Sequence, residues 1–227
     1  MKTSILICLV LTLTNCKPQN KEEKQTVEKI KHYEMQNKHE YNNLTNSEFE
    51  KFDINRFDKN KNESEDYVYF LNNGTRVREF GDKESGYFSQ ETPKNSLFTV
   101  SKGFYPNANI KHKGPSFKDT CEIGIWYEYD EKGKLISETD LDKPYKINFK
   151  DIIEFLKKNE ADYNSYLSVN RNYVEKTKKG TWELYYRGKY KENEGMLIVT
   201  IDDQSSEIEQ VIKITGKHGE KEIIFKK

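Results

Sequence analysis

Cysteine and histidine are scarce in this chain of 227 residues, with three of the first and four of the second. So few thiols exclude a disulfide-built scaffold. The four histidines, His32, His39, His112 and His218, show no metal-ligand spacing, and no Gly-rich phosphate loop, nucleophile elbow or HExxH pattern accompanies them. Hydrophobic residues make up only 34% against 33% charged, so aliphatic side chains alone cannot fill a core. An excess of one charge is also missing: 38 basic residues balance 38 acidic ones, which removes the electrostatic footprint of a general nucleic-acid binder. The one long apolar run, Ile5 to Leu13, is too short to span a bilayer as a helix.

What is present starts with that run. Lys2 supplies a minimal positive region, Ile5 to Leu13 the apolar stretch, and Leu13-Thr14-Asn15-Cys16 closes it, the pattern of a signal peptide over residues 1–15. The last four residues resemble the lipobox of bacterial lipoproteins, with Asn15 standing where Gly, Ala or Ser is usual. The resemblance implies cleavage between Asn15 and Cys16, acylation of the Cys16 thiol, and a lipid anchor to the outer membrane of the cell envelope. Each buried methylene of such an anchor adds about 0.8 kcal/mol of membrane affinity. An ordinary secretory signal with an incidental Cys is the alternative. With Cys8 lost in the leader and Cys16 acylated, Cys121 has no partner, so it is either a buried thiol or a nucleophile.

Residues 16–65 are rich in Lys, Glu and Asn and read as a flexible tether, with transient helix from Glu22 to Gln36. Lys21-Glu22-Glu23 resembles the charged export signal of Bacteroidota lipoproteins, or is simply a solvated charge run. Asp58, Asn60, Asn62 and Ser64 alternate as in a calcium loop, yet Glu63 holds the glycine position and Tyr69 the bidentate one, so no EF-hand is expected. Phe49, Phe52 and Phe57 read as an apolar lead-in that docks on the folded part.

From Tyr67 the pattern turns to period two. Tyr67 to Leu71, Asn72-Asn73-Gly74 and Thr75 to Phe80 form a hairpin signal in which Asn-Gly supplies a tight turn. Further on, alternation places Ile123, Ile125, Tyr127 and Tyr129 on one face of a strand and Gly124, Trp126, Glu128 and Asp130 on the other. His112 between two lysines reads as an exposed strand residue. The stretches Gly103 to Lys111 and Gly124 to Leu135 resemble MORN-type repeats of the variant found in bacterial envelope and antitoxin-like proteins. That resemblance implies a single-layer sheet of aromatic hairpins over 66–142 and a protein partner, such as a secreted toxin or an envelope protein. Ala108 stands where the repeat generally has Gly, so its turn is expected to be altered.

Asn148 with Asp151 three residues on makes a capping box, and Phe149, Ile152, Ile153 and Leu156 line one helix face. Strand patterns follow at Thr181 to Tyr186, Gly195 to Asp202, Glu207 to Ile212 and Glu220 to Phe225. Helix, aromatic strand and Thr200-Ile201-Asp202 resemble a PepSY-type module over 148–214, within an α+β meander over 143–227, with Ser205-Ser206 replacing its usual Gly-containing turn; any α+β meander would look similar.

The expected fold is therefore α+β: mostly antiparallel β hairpins and meander with one main amphipathic helix. The expected function is a non-enzymatic envelope lipoprotein with a protein-binding β surface, with Trp126, Tyr127, Tyr129 and Tyr105 as its candidate residues and no cofactor, metal or nucleic acid. Two other classes stay open. One is a glycan- or peptidoglycan-binding lipoprotein, whose aromatics would stack on sugars. The other is a hydrolase using carboxylates around Asp202, Asp203, Glu207 and Glu209, residues that a solvated turn explains better, because they sit where a hairpin needs polar groups.

Overall fold

A computed structural model describes residues 41–227 except Lys217. The leader, Asn15, Cys16 and the Glu22 to Gln36 segment lie outside the described residues. His39–Lys227 clusters as one compact unit, and within it antiparallel strands dominate. The expected division at residue 142 falls between two sheets.

The first sheet comprises β1 (Asp66–Phe70), β2 (Arg76–Asp82), β3 (Gly86–Thr92), β4 (Phe98–Phe104), β5 (Ile110–Phe117), β7 (Ile125–Tyr129) and β8 (Leu135–Asp140) in that order, with the two-residue β6 (Cys121–Glu122) paired to β5. Apart from the short β6, neighbours follow chain order, so the sheet is a meander. Three of its turns share one geometry. Gly74 N–H donates to the Leu71 carbonyl, Ala108 to Tyr105 and Gly133 to Asp130, while Leu71, Tyr105 and Asp130 donate to the carbonyls of Thr75, Asn109 and Lys134. In each the fourth residue is left-handed, with φ of 84° at Gly74, 70° at Ala108 and 84° at Gly133. Ala108 therefore keeps the geometry it was expected to alter, accepting a strain of order 1 kcal/mol. The Asn73-Gly74 turn is correspondingly a longer loop with one left-handed residue, not a two-residue turn with two.

One face of this sheet is sealed by the segment that precedes it. Phe52 and Phe57 are buried there with Tyr87, Phe104, Ile110, Tyr127 and Tyr129, and Phe52 stacks on Tyr87 at 4.6 Å. Phe52 N–H donates to the Ala108 carbonyl (2.9 Å) and Ile110 N–H to the Glu50 carbonyl (3.0 Å). A short helix, α1 (Ile54–Asn60), capped by Asp53, carries Phe57. The Lys113 side chain, 1% exposed, reaches the Glu48 carbonyl (2.7 Å) and Glu50 Oε1 (2.6 Å), and Lys102 bridges Glu50 and Glu91. The expected tether thus gives up its last part to the folded unit. Its aromatic spacing, and not its polar majority, decides where it goes, because two rings, Phe52 and Phe57, suffice to cap the sheet. Phe49 stays 46% exposed.

The second sheet runs β9 (Ser168–Val174), β10 (Lys179–Tyr190), β11 (Asn193–Asp202), β12 (Ile208–Thr215) and β13 (Glu220–Lys226), again a meander. β10 alternates strictly, burying Trp182, Leu184 and Tyr186. Helix α2 (Phe149–Lys158) lays Phe149, Ile152 and Leu156 into the core, and its capping box is complete: Asp151 N–H donates to Asn148 Oδ1 and Asn148 N–H to Asp151 Oδ2. Phe149 contacts Phe98 and Phe117 of the first sheet and Trp182 of the second, joining both layers in one core. Two short α-helices are present among the described residues in place of the one expected, and no helix among those residues is long and apolar enough to cross a membrane.

Candidate functional site

Register decides which aromatics reach the surface. Tyr127 and Tyr129, offered by the sequence as binding residues, lie on the sealed face, and Tyr129 is fully buried beneath the segment just described. Tyr105 is half-buried and its hydroxyl donates to the Tyr129 carbonyl (2.9 Å). Of the four candidates only Trp126 points the other way. On that opposite face Phe80 pairs with Phe88, Phe88 with Gly103, and Gly103 with His112, while Arg78 pairs with Gln90 and Gln90 with Ser101. No element of the described residues covers the β1 to β3 end of this face. Val68, Phe70 and Phe88 are 45%, 69% and 37% exposed, Phe80 stacks on Phe88 at 5.3 Å, and the Arg78 guanidinium lies 4.7 Å over Phe80.

Towards β7 the same face deepens into a cleft of about 760 Å³, bounded by β5, β7, β8, the loop after β8 and the edge strand β9. Its floor is two flat rings held on glycines. A Cβ on Gly114 would sit 2.2 Å from the Trp126 indole and one on Gly103 2.5 Å from the His112 imidazole, so both rings lie directly on backbone. Their centroids are 6.2 Å apart, and Trp126 Nε1 donates to the Pro115 carbonyl (3.3 Å). His112 is accordingly half-buried and not the exposed strand residue expected. Burial first, and then the Lys111 charge, pull its pKa below the ordinary 6.5, keeping the ring neutral at neutral pH.

Arg171 forms part of the far wall. Its guanidinium donates to Asp142 Oδ1 (2.8 Å) and the Glu122 carbonyl (2.7 Å) and lies 4.6 Å over Tyr145, and the Tyr41 hydroxyl donates to Asp142 Oδ2 (2.5 Å). Burial and the Asp142 bond push the Tyr41 hydroxyl well above its usual range. Cys121 is buried at the cleft edge, where burial pushes its thiol up to about 11; a thiol so raised is a poor nucleophile.

Known protein families, curated proteins and solved structures offer no match to this chain.

The carboxylates at the β11 turn separate instead of forming a pair. Asp202 accepts from the Ser205 N–H and hydroxyl (2.7 Å each), closing the turn, and Glu207 pairs with Lys227. Asp203 is fully buried. It accepts from Lys146 N–H (2.9 Å), Ile147 N–H (3.0 Å) and Trp182 Nε1 (3.0 Å), so it fastens the entry of α2 to β10. The solvated-turn reading thus holds for Asp202 but not for Asp203. Similarly, Asn62 Oδ1 accepts from Ser64 and Asp66 N–H while Asp58 pairs with Lys61, so the calcium-like spacing is used by turns. Among the described residues no group of His, Cys, Asp and Glu is placed to hold a metal ion.

Sequence reasoning passed over Phe80, Phe88, Gln90, Asn172, Tyr145 and Arg171. The glycines under the rings carried a signal: Gly103 and Gly114 sit inside strand patterns, where a glycine often marks close approach of another group.

Proposed function

We propose that the protein is a lipid-anchored envelope protein that acts by binding, holding a partner protein on the uncovered face of its first sheet without catalysis. The observation that carries the reading is the stacked pair Phe80 and Phe88 under Arg78, with exposed Val68 and Phe70 near it on β1, on a face that no described element covers while the opposite face is sealed. Contiguous exposed apolar patches on a folded protein mark interaction sites, and aromatic and Arg side chains dominate binding hot spots. Seven strands at about 4.8 Å spacing make a face roughly 30 Å wide, and strands about 20 Å long bring its area to about 600 Å², of the order of the ~800 Å² that one partner commonly contributes to a stable interface.

The lipobox resemblance supports anchoring through Cys16 at the outer membrane, with the residues after it as the spacer. The MORN-variant resemblance supports an immunity-like or antitoxin-like role, the partner being a secreted toxin or another envelope protein. In this reading α2 is the principal helix, and the sheet it backs is the PepSY-like module. Mass spectrometry of the mature N-terminus tests the anchor: an acylated Cys16 is expected, and an unmodified one contradicts it. Affinity capture from envelope extracts tests the surface. The protein retains a defined partner that the Phe80→Ala/Phe88→Ala double variant loses; equal capture by both refutes the assignment.

A further inference from the structure

We propose that the cleft floored by Trp126 and His112 is a second binding site, for a short saccharide that is neutral or amine-bearing, adjoining the protein-docking patch on the same face of the sheet.

The floor comes first. An indole pressed on Gly114 and pinned through Nε1 to the Pro115 carbonyl presents its other face to the cleft without rotamer freedom to lose. The C–H faces of a sugar ring complement such a platform, and pre-organisation is where weak ligands gain most. A second flat ring, His112, extends the platform by 6.2 Å, enough for more than one sugar unit.

The walls supply the remaining chemistry. Gln90, Ser101 and Asn172 line the cleft, and their side chains make no hydrogen bond to any described residue, leaving amides and a hydroxyl free for a ligand rich in hydroxyls. Small-molecule sites pair a concave surface of this kind with a few convergent polar groups.

Charge narrows the ligand. The one cation lining the cleft among the described residues, Arg171, is held by Asp142 and the Glu122 carbonyl, while Asp119, Glu122 and Asp140 also line it. A phosphate or uronic acid would meet carboxylates without a free cation to offset them. An amine would find them favourable.

Intrinsic fluorescence reads occupancy, because Trp126 floors the cleft; the second tryptophan, Trp182, is fully buried but lies 5.2 Å from Tyr145 of the wall, so loss of the ligand-dependent change in Trp126→Phe assigns it to Trp126. The probes are the trimers of glucose, N-acetylglucosamine, glucosamine and galacturonic acid, titrated into the purified protein to roughly 10 mM, with affinities in the millimolar range or tighter. One or more of the first three saturate the signal, and galacturonate trimer binds at least about tenfold more weakly or not at all. By calorimetry, Trp126→Ala and Asn172→Ala each weaken binding about tenfold, whereas Ile223→Ser, on the far edge of the second sheet, leaves it unchanged. Asn172 is exposed on an edge strand, so its variant tests the site even if the Trp126 variant fails to fold. The proposal is overturned if no trimer binds, if the acidic trimer binds as tightly as the others, or if Asn172→Ala binds like the parent protein.

Discussion

Replacing Phe57 by Ala removes a ring that is completely buried and that meets Phe52 at 5.4 Å and Tyr87 at 5.9 Å. Phe→Ala changes in well-packed cores cost about 3–5 kcal/mol. Helix α1 has only seven residues and can settle partly into the void, which places the loss near the lower end, about 3 kcal/mol. For a unit of this size that corresponds to a fall in melting temperature of roughly 6–12 °C and a urea midpoint lower by about 1 M. Urea unfolding followed by near-UV circular dichroism measures it. Phe49→Ala, at a ring that stays 46% exposed, is the comparison and costs below about 1 kcal/mol. If Phe57→Ala shifts stability by less than about 0.5 kcal/mol, the size of an ordinary surface change, the segment before β1 is a spacer and the sealed face described above is wrong.

Three other perturbations test different parts of the fold. Burial outweighs the Arg56 guanidinium and Tyr69 hydroxyl and holds the Glu79 carboxyl above its ordinary 4.5, and its Oε2 has no partner among the described residues. A carboxyl raised on folding contributes stability that is complete below its unfolded value and is lost as pH rises through the folded one. Glu79→Gln therefore matches the parent near pH 4 and is more stable at pH 8 in thermal melts; a loss at pH 8 refutes the sign. Asp203→Ala leaves two buried donors and one partly buried donor without an acceptor and costs at least about 2 kcal/mol at about 1–3 per buried group, while Asp202→Ala, in an exposed turn, costs below about 1 kcal/mol; equal melting temperatures would remove Asp203 from the core. Finally, a thiol raised to about 11 leaves Cys121 roughly one part in a thousand thiolate at about pH 8. Its alkylation by iodoacetamide is slow in the folded protein and accelerates in urea, and rapid native labelling contradicts the burial.

Where chemistry is local, the chain could be read directly. Asn148 and Asp151 form the capping box that their spacing announces because both partners sit within one helical turn. Alternation assigned Tyr127 and Trp126 to opposite faces correctly. It did not say which face is inside, because that depends on Phe52 and Phe57, rings from a segment whose composition resembles a spacer. Strand β9, with Asn170, Arg171 and Asn172, carries residues that strands generally avoid, and its pairing with β10 comes from register and not propensity. Asp203 illustrates the same limit: in sequence it looks like one more turn carboxylate beside Asp202, and only the return of Lys146, Ile147 and Trp182 makes it a buried anchor. The cleft joins Gln90, Trp126 and Asn172 from three separate strands, and no spacing rule connects them.

Site-specific photocrosslinking in intact cells tests the binding face most directly. A photoreactive side chain at Phe88, on the open face, is predicted to join the protein to one partner, whereas the same group at exposed Ile223 of β13 joins none. Crosslinking at Ile223 with none at Phe88 would place the interface on the second sheet and contradict the account.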